Sequence, residues 1–144
     1  MLFADDSVIG PWVCERIGGN WPQGRGKAIG RIKDGRIVGG ILYEDFNGAN
    51  IMCHIAGEGS HWLNREFLWA IFHYPFEYLG ASRMTAPVAS VNQACRRFVE
   101  HLGFTQECVM EDAHPQGDII IYRLKAEDCR WLELKNGQRI VEHA

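Results

Sequence analysis

From residue 54 to 63 the chain reads HIAGEGSHWL, two glycines, a serine and two histidines set between an apolar run and a long aromatic-rich segment. Glycines in such a place let backbone N–H groups come close to a ligand. If a helix follows, its first turn offers unpaired N–H donors and a partial positive charge, which suits an anion and above all a phosphate. Ser60 is placed to cap that helix. A plain turn is the other reading of Gly57-x-Gly59, and the segment alone does not choose between them. A metal site is disfavoured. His54, His61 and His73 lack the i, i+4 spacing that puts two ligands on one helix face, and no cysteine joins them at a zinc-finger spacing.

Groups suited to proton transfer lie close by. Histidine changes charge between about pH 5 and 8, so His54 is a candidate general base. Its other reading is a strand-end histidine bonded to backbone. Glu44 and Asp45 close the run IVGGILYED and are either further bases or the solvated end of a hairpin. Glu58 is a poorer base, because a carboxylate in a phosphate loop is repelled by its ligand; a solvated loop residue is the simpler reading. Cys53 neighbours His54, but adjacent strand residues point to opposite faces and cannot pair directly.

The elements that must position these groups are legible in the hydrophobic period. Residues 5–18 read as a helix with Asp or Ser as N-cap and Gly18-Gly19 as the stop, although Pro11 falls inside it. Residues 20–26 form a loop by their Gly, Pro and Asn content. Asp34-Gly35 and Asn47-Gly48 are strong hairpin signals, because the turn needs positive φ. They divide strands at about 27–33, 36–46 and 49–56, an antiparallel meander. Gly39-Gly40 inside the middle strand calls for a bulge or a close backbone neighbour. The segment 62–79 is helical by the spacing of Leu63, Phe67, Ile71, Tyr74 and Tyr78, with Pro75 ending or kinking it near Tyr74. A short strand at 82–88, a helix at 92–103 stopped by Gly103, and strands at 104–110 and 118–125 follow. The aromatic cluster from Trp62 to Tyr78 reads as core or dimer interface. This order predicts one α+β (mixed α/β) domain over 1–144, a mostly antiparallel sheet of about six strands flanked by helices. Its core spans about 27–125, and 126–144 is an extension.

Composition bounds the function. An apolar fraction of 47% and a charged fraction of 23% over 144 residues are those of an ordinary globular domain. A net charge of −3 argues against nucleic acid as a partner, the pairs Arg25/Lys27 and Arg96/Arg97 reading as solvated surface. The five cysteines are odd in number, widely spaced and without C-x-x-C, so they are expected to be reduced thiols of a cytoplasmic protein. No basic leader opens the sequence. The most apolar segment is broken by His73, Pro75 and Glu77 and is too short to span a bilayer. Exposed strand edges and the apolar tail are consistent with a homodimer.

One segment goes further. NQACRRFVEHLGF, residues 92–104, resembles the Asn-x-x-Ala-x-x-Leu-Tyr-Glu-x-x-Gly-Phe pattern of the GNAT superfamily of N-acetyltransferases at Asn92, Glu100, Gly103 and Phe104, with Cys95 at the small position. The upstream order of elements fits as well, and the resemblance covers roughly 27–125, most closely that of short GNAT-like proteins of phages and prophages. It implies acetyl-CoA as co-substrate and an amine as acceptor, in a ternary complex. The family's (Gln/Arg)-x-x-Gly-x-(Gly/Ala) loop corresponds to His54-Ile55-Ala56-Gly57-Glu58-Gly59, with histidine at the first position. By resemblance the N–H groups from Gly57 through Glu58, Gly59, Ser60, His61 and Trp62 to Leu63 hold the pyrophosphate. A splay of the strand carrying Cys53, His54 and Ile55 from the 85–88 segment admits the pantetheine. Asn92 contacts that arm, and Arg96 or Arg97 reaches the ribose phosphate. Two departures stand out. The family's proton-donating tyrosine falls at Val99, leaving Tyr78, Cys95 or water for that task, and the N-terminal strand and helix are reduced or missing. These departures support a second reading, a GNAT-like module without catalysis that binds or regulates a host protein.

Overall fold

The computed structural model describes residues 1–18, 26–59 and 61–134. Gly19, the loop at 20–25 with Arg25, Ser60 and the extension past Leu134 lie outside the described residues. In chain order the elements are β1 (Leu2–Phe3), α1 (Asp6–Ile17), β2 (Gly26–Lys33), β3 (Arg36–Glu44), β4 (Asn50–Gly57), α2 (Arg65–His73) with a π-helical turn (Tyr74–Tyr78), β5 (Arg83–Ala89), α3 (Gln93–Leu102), β6 (Thr105–His114) and β7 (Gly117–Lys125). Two short 3₁₀ turns follow, Ala126–Asp128 and Arg130–Glu133. The sheet has seven strands in the order β1-β2-β3-β4-β5-β7-β6, antiparallel throughout except where β4 meets β5.

The seventh strand is the two-residue β1, too short to leave a period in the sequence, and it pairs Leu2 with Arg31. With α1 it supplies the N-terminal elements that the family resemblance leaves reduced or missing. α1 is capped by Asp5, whose carboxylate accepts from Ser7 N at 3.0 Å, and closed by Gly18 at φ +78°. Pro11 does not end it; it removes only the N–H that would reach the carbonyl of Ser7.

Alternation along the strands makes two cores. Ile41, Tyr43, Ile51, Cys53 and Met84 face α2 and α3, while Ala28 and Leu42 face Ile9, Val13 and Cys14 of α1 on the other side. Glycines let α1 sit close: a Cβ on Gly30 would come within 2.2 Å of Ile9, and one on Gly40 within 2.8 Å of Val13. The bulge expected near Gly39-Gly40 is present too, with Val38 left unpaired as the register shifts between Arg31 and Ile32.

Both expected turns form, with different geometry. Asp34 and Gly35 both have positive φ, as a two-residue I′ turn requires. The second is longer, because β3 stops at Glu44 and Asn47 Oδ1 accepts from Ala49 N and Asn50 N. Pro75 shapes the end of α2. It has no N–H for the carbonyl of Ile71, which accepts instead from the buried Tyr43 hydroxyl at 2.5 Å. The chain then closes a π turn, Leu79 N donating to Tyr74 O at 3.0 Å.

Candidate functional site

β4 and β5 share three residue pairs, Asn50–Arg83, Ile51–Met84 and Met52–Thr85, and then part. Past Met52 and Thr85 they diverge, as the sequence reading expects of this segment. A cavity of about 400 Å³ opens in the gap, walled by His54 and Ile55 of β4 and by Ala86 to Ala89 of β5. Asn92, Cys95 and Val99 of α3 close one side, Arg16 of α1 and His114 of the β6–β7 hairpin the others. A second cavity of about 460 Å³ shares Arg16, Ile17, Ile55, Asn92 and Cys95 with the first and extends to Gly57, Gly59 and Trp62. The two therefore make one groove, running from the strand gap to Gly59 and Trp62 in the loop ahead of α2.

Trp62, Asn64 and Arg31 organise the loop that leads into α2. Trp62 lies over the cross-strand pair Gly39–Gly57, and a Cβ on Gly57 would stand 2.1 Å from its indole, one on Gly39 2.6 Å. Phe98 of α3 and Phe67 of α2 pack against the same ring, at centroid distances of 5.0 and 6.0 Å. The helix begins at Arg65, three residues later than the sequence suggests, because Asn64 caps it: its side chain accepts from Phe67 N at 2.8 Å. The cap of α2 is thus Asn64, and Ser60 lies outside the described residues. Arg31 of β2 then reaches across and donates to the carbonyls of His61 and Trp62 at 2.8 and 2.9 Å. Gly59, at φ +73° with open space around it, supplies the left-handed turn.

Glu58 does not point free into this groove. It is ion-paired to Arg16, whose Nε donates at 2.9 Å, and lies 3.6 Å from Arg36. Arg16 in turn packs its guanidinium 3.7 Å from the centre of the Trp12 ring. The carboxylate that would repel a phosphate is thereby matched by cations.

His54 and Glu44, separate candidates in the sequence, form a pair: His54 Nε2 and Glu44 Oε1 are 2.8 Å apart. The β3–β4 register sets Glu44 against Met52, which puts both side chains on the α1 face of the sheet. Since an ionised carboxylate only accepts, Nε2 is the donor in this contact and Nδ1 faces away from it. Asp45 is exposed in the turn beyond, at φ +56°. Cys53 points the other way, fully buried in the main core, where burial pushes its thiol far up and removes it as a nucleophile. Burial also pushes up the Cys95 thiol on the groove wall, so it stays protonated at neutral pH.

Other residues fall elsewhere. Tyr78 is 74% exposed, stacks on Tyr74 and borders a different hollow, beside Leu2, Phe3 and Trp69. Arg96 donates to the Tyr122 hydroxyl at 3.3 Å, and Arg97 is exposed; neither lines the groove. His61 is exposed with its carbonyl held by Arg31, and Leu63 packs on the main core. Sequence reasoning does not single out Arg16, Arg31, His114 or Gln116. They come from elements distant in the chain, and no local spacing marks them. Among the described residues no three metal-ligating side chains gather, and no helix is long and apolar enough to cross a membrane.

No family model matches the sequence, and no curated protein does. Solved structures do. The spermidine/spermine N-acetyltransferase SpeG from Vibrio cholerae, in mutant forms, is similar at a TM-score of 0.69 and 12% identity, over 88% of this chain and 95% of that one. A GNAT-family acetyltransferase from Bacillus anthracis gives 0.59 and 18%, over 72% and 67%. The N-acetyltransferase PseH from Campylobacter jejuni gives 0.58 and 19%, over 72% and 70%. The order of elements, the parallel β4–β5 pair that parts and the helix that starts beside it make this the fold of the GNAT acetyltransferases.

Proposed function

We propose that the chain is an acetyl-CoA-dependent N-acetyltransferase that passes the acetyl group to an amine by direct attack in a ternary complex. The observation that carries this reading is the continuous groove from the β4–β5 gap to Gly57, Gly59 and Trp62 in the loop ahead of α2. It offers an extended slot for a pantetheine arm and, at one end, helix N-terminal donors for a pyrophosphate. Acetyl-CoA supplies an acetyl thioester already activated for acyl transfer.

The residues divide the work. The N–H groups before and within the first turn of α2 bind the pyrophosphate, Trp62 and Phe98 wall the groove, and Arg16 adds positive charge beside it. Asn92 and Cys95 border the arm at the first turn of α3. His54 takes the proton released by the attacking amine at Nδ1, and Glu44 orients the ring and stabilises the imidazolium. Backbone groups left unpaired where β4 parts from β5 polarise the thioester carbonyl. With valine at position 99 and the Cys95 thiol made a weaker acid by burial, the departing CoA thiolate leaves without a side-chain acid, and the proton taken by His54 passes to solvent.

The test is release of free CoA thiol from acetyl-CoA with a panel of amines: a polyamine, an aminoglycoside, a peptide with a free N-terminus and a lysine peptide. Amine-dependent release together with an acetylated product supports transfer. A protein that binds acetyl-CoA but acetylates none of these amines contradicts catalysis toward those classes and favours the binding-module reading.

A further inference from the structure

In an α-helix each N–H reaches the carbonyl four residues earlier, so a first turn keeps its donors free only while nothing precedes it to accept them. The N–H groups of Arg65 and Glu66 would reach the carbonyls of His61 and Trp62 if α2 started a turn sooner. The sequence invites that, since the helical spacing of apolar residues already begins at Leu63. Those two carbonyls are instead held by a single guanidinium nitrogen, Arg31 Nη1, at 2.8 and 2.9 Å. Arg31 stands on β2 opposite Gly39, beside the Trp62 ring that lies over Gly39 and Gly57. It is part-buried, and among the described residues its Nε has no partner.

We propose that Arg31 is a positioning residue for the anion loop. By taking the carbonyls of His61 and Trp62, it keeps the N–H groups of Arg65 and Glu66 free for the phosphate oxygens of CoA. The inference rests on the CoA-binding reading above and deepens it. Arg31 is not required to touch the ligand. Its effect is to stop the helix from consuming its own donors, while its charge adds to the positive end of the α2 dipole. Asn64 does the complementary task, fixing where the helix starts by taking Phe67 N.

The test compares the wild type with Arg31→Met, which keeps the length and packing of the stem, and Arg31→Lys, which keeps a cationic donor. Two quantities are read: affinity for CoA by calorimetry, and hydrogen exchange at the amides of Arg65 and Glu66 in the ligand-free protein. Arg31→Met is expected to weaken CoA about tenfold or more, the scale of a lost charge-assisted contact. It should also make the Arg65 and Glu66 amides exchange more slowly, because the helix grows toward its N-terminus. Arg31→Lys should recover most of the affinity. A merely structural role moves exchange the opposite way, so faster exchange in Arg31→Met with a fallen melting temperature overturns the proposal. Unchanged CoA affinity in Arg31→Met overturns it too and leaves the CoA reading standing. If the wild type itself does not bind CoA, the CoA reading falls and this inference with it.

Discussion

Gly57→Ala is expected to lower folding stability by about 1–3 kcal/mol, the usual cost of forcing extra volume into a packed site, and to weaken CoA binding as well. The cause is local. A Cβ at 57 stands 2.1–2.5 Å from three atoms of the Trp62 indole, and that ring is hemmed by Phe67 and Phe98. Either the ring or the β4 backbone must move, and both wall the groove. Thermal denaturation followed by circular dichroism reads the stability, and calorimetry reads the affinity. Gly59→Asn is the control. Gly59 has open space around it and positive φ, which asparagine tolerates better than most residues, so its stability should change little. An unchanged melting temperature in Gly57→Ala would contradict the packing account. Loss of CoA binding in a bulky Gly57 variant therefore does not by itself mark a phosphate contact, since the glycine is needed for Trp62 in any case.

His54→Gln should reduce turnover at neutral pH by about 10²–10⁴, the range for removing a positioned general base, with little change in affinity for acetyl-CoA. Glu44→Gln keeps the hydrogen-bonding shape but not the charge behind the imidazole, and its loss should be smaller. The pH dependence has a definite sign. An alkylamine acceptor has a pKa near that of lysine, about 10.4. As pH rises toward that value, the acceptor arrives already unprotonated and the need for His54 fades. The deficit of His54→Gln should shrink steadily with pH. Full turnover of the variant from pH 6 to 9 would show that histidine is not the base.

How far the sequence carried can be judged element by element. Hairpin chemistry at Asp34-Gly35 and the β-branched run at 118–125 left clear local marks, and strands formed there. The helix after Asn92 and its stop at Gly103 were legible; that Asn92 caps it, its side chain accepting from Cys95 N, came from the structure. β6 runs to His114 rather than 110, because residues 111–113 carry no hydrophobic period; they lie in a register shift, held by Asp112 N donating to Asp118 Oδ1 at 2.9 Å and by the pairing of His114 with Gly117. α2 begins late because two side chains intervene. Asn64 is an ordinary cap residue that the apolar spacing from Leu63 onward hides inside the helix, and Arg31 lies thirty-one residues from the Trp62 carbonyl it holds.

The site divides along the same line. The loop glycines, His54, Glu44 and Asn92 stood out as candidates because each sits in a local pattern. Their relation was not: the 2.8 Å contact of His54 with Glu44 depends on the β3–β4 register. Gly57 reads in the sequence as room for a ligand, whereas the room is filled by Trp62. Arg16 escapes notice because nothing near it in sequence hints that α1 ends at the groove. Tyr78 matches a chemical need, a hydroxyl donor, but the π turn after Pro75 leaves it on another surface.

The most direct test of the account is calorimetric titration of the wild-type protein with acetyl-CoA and, separately, with CoA. The groove and the glycine loop at its end predict saturable binding of both, with Kd on the order of micromolar, equivalent to roughly 8 kcal/mol. A folded protein that takes up no heat from either ligand over the range expected for such affinity would contradict the central claim.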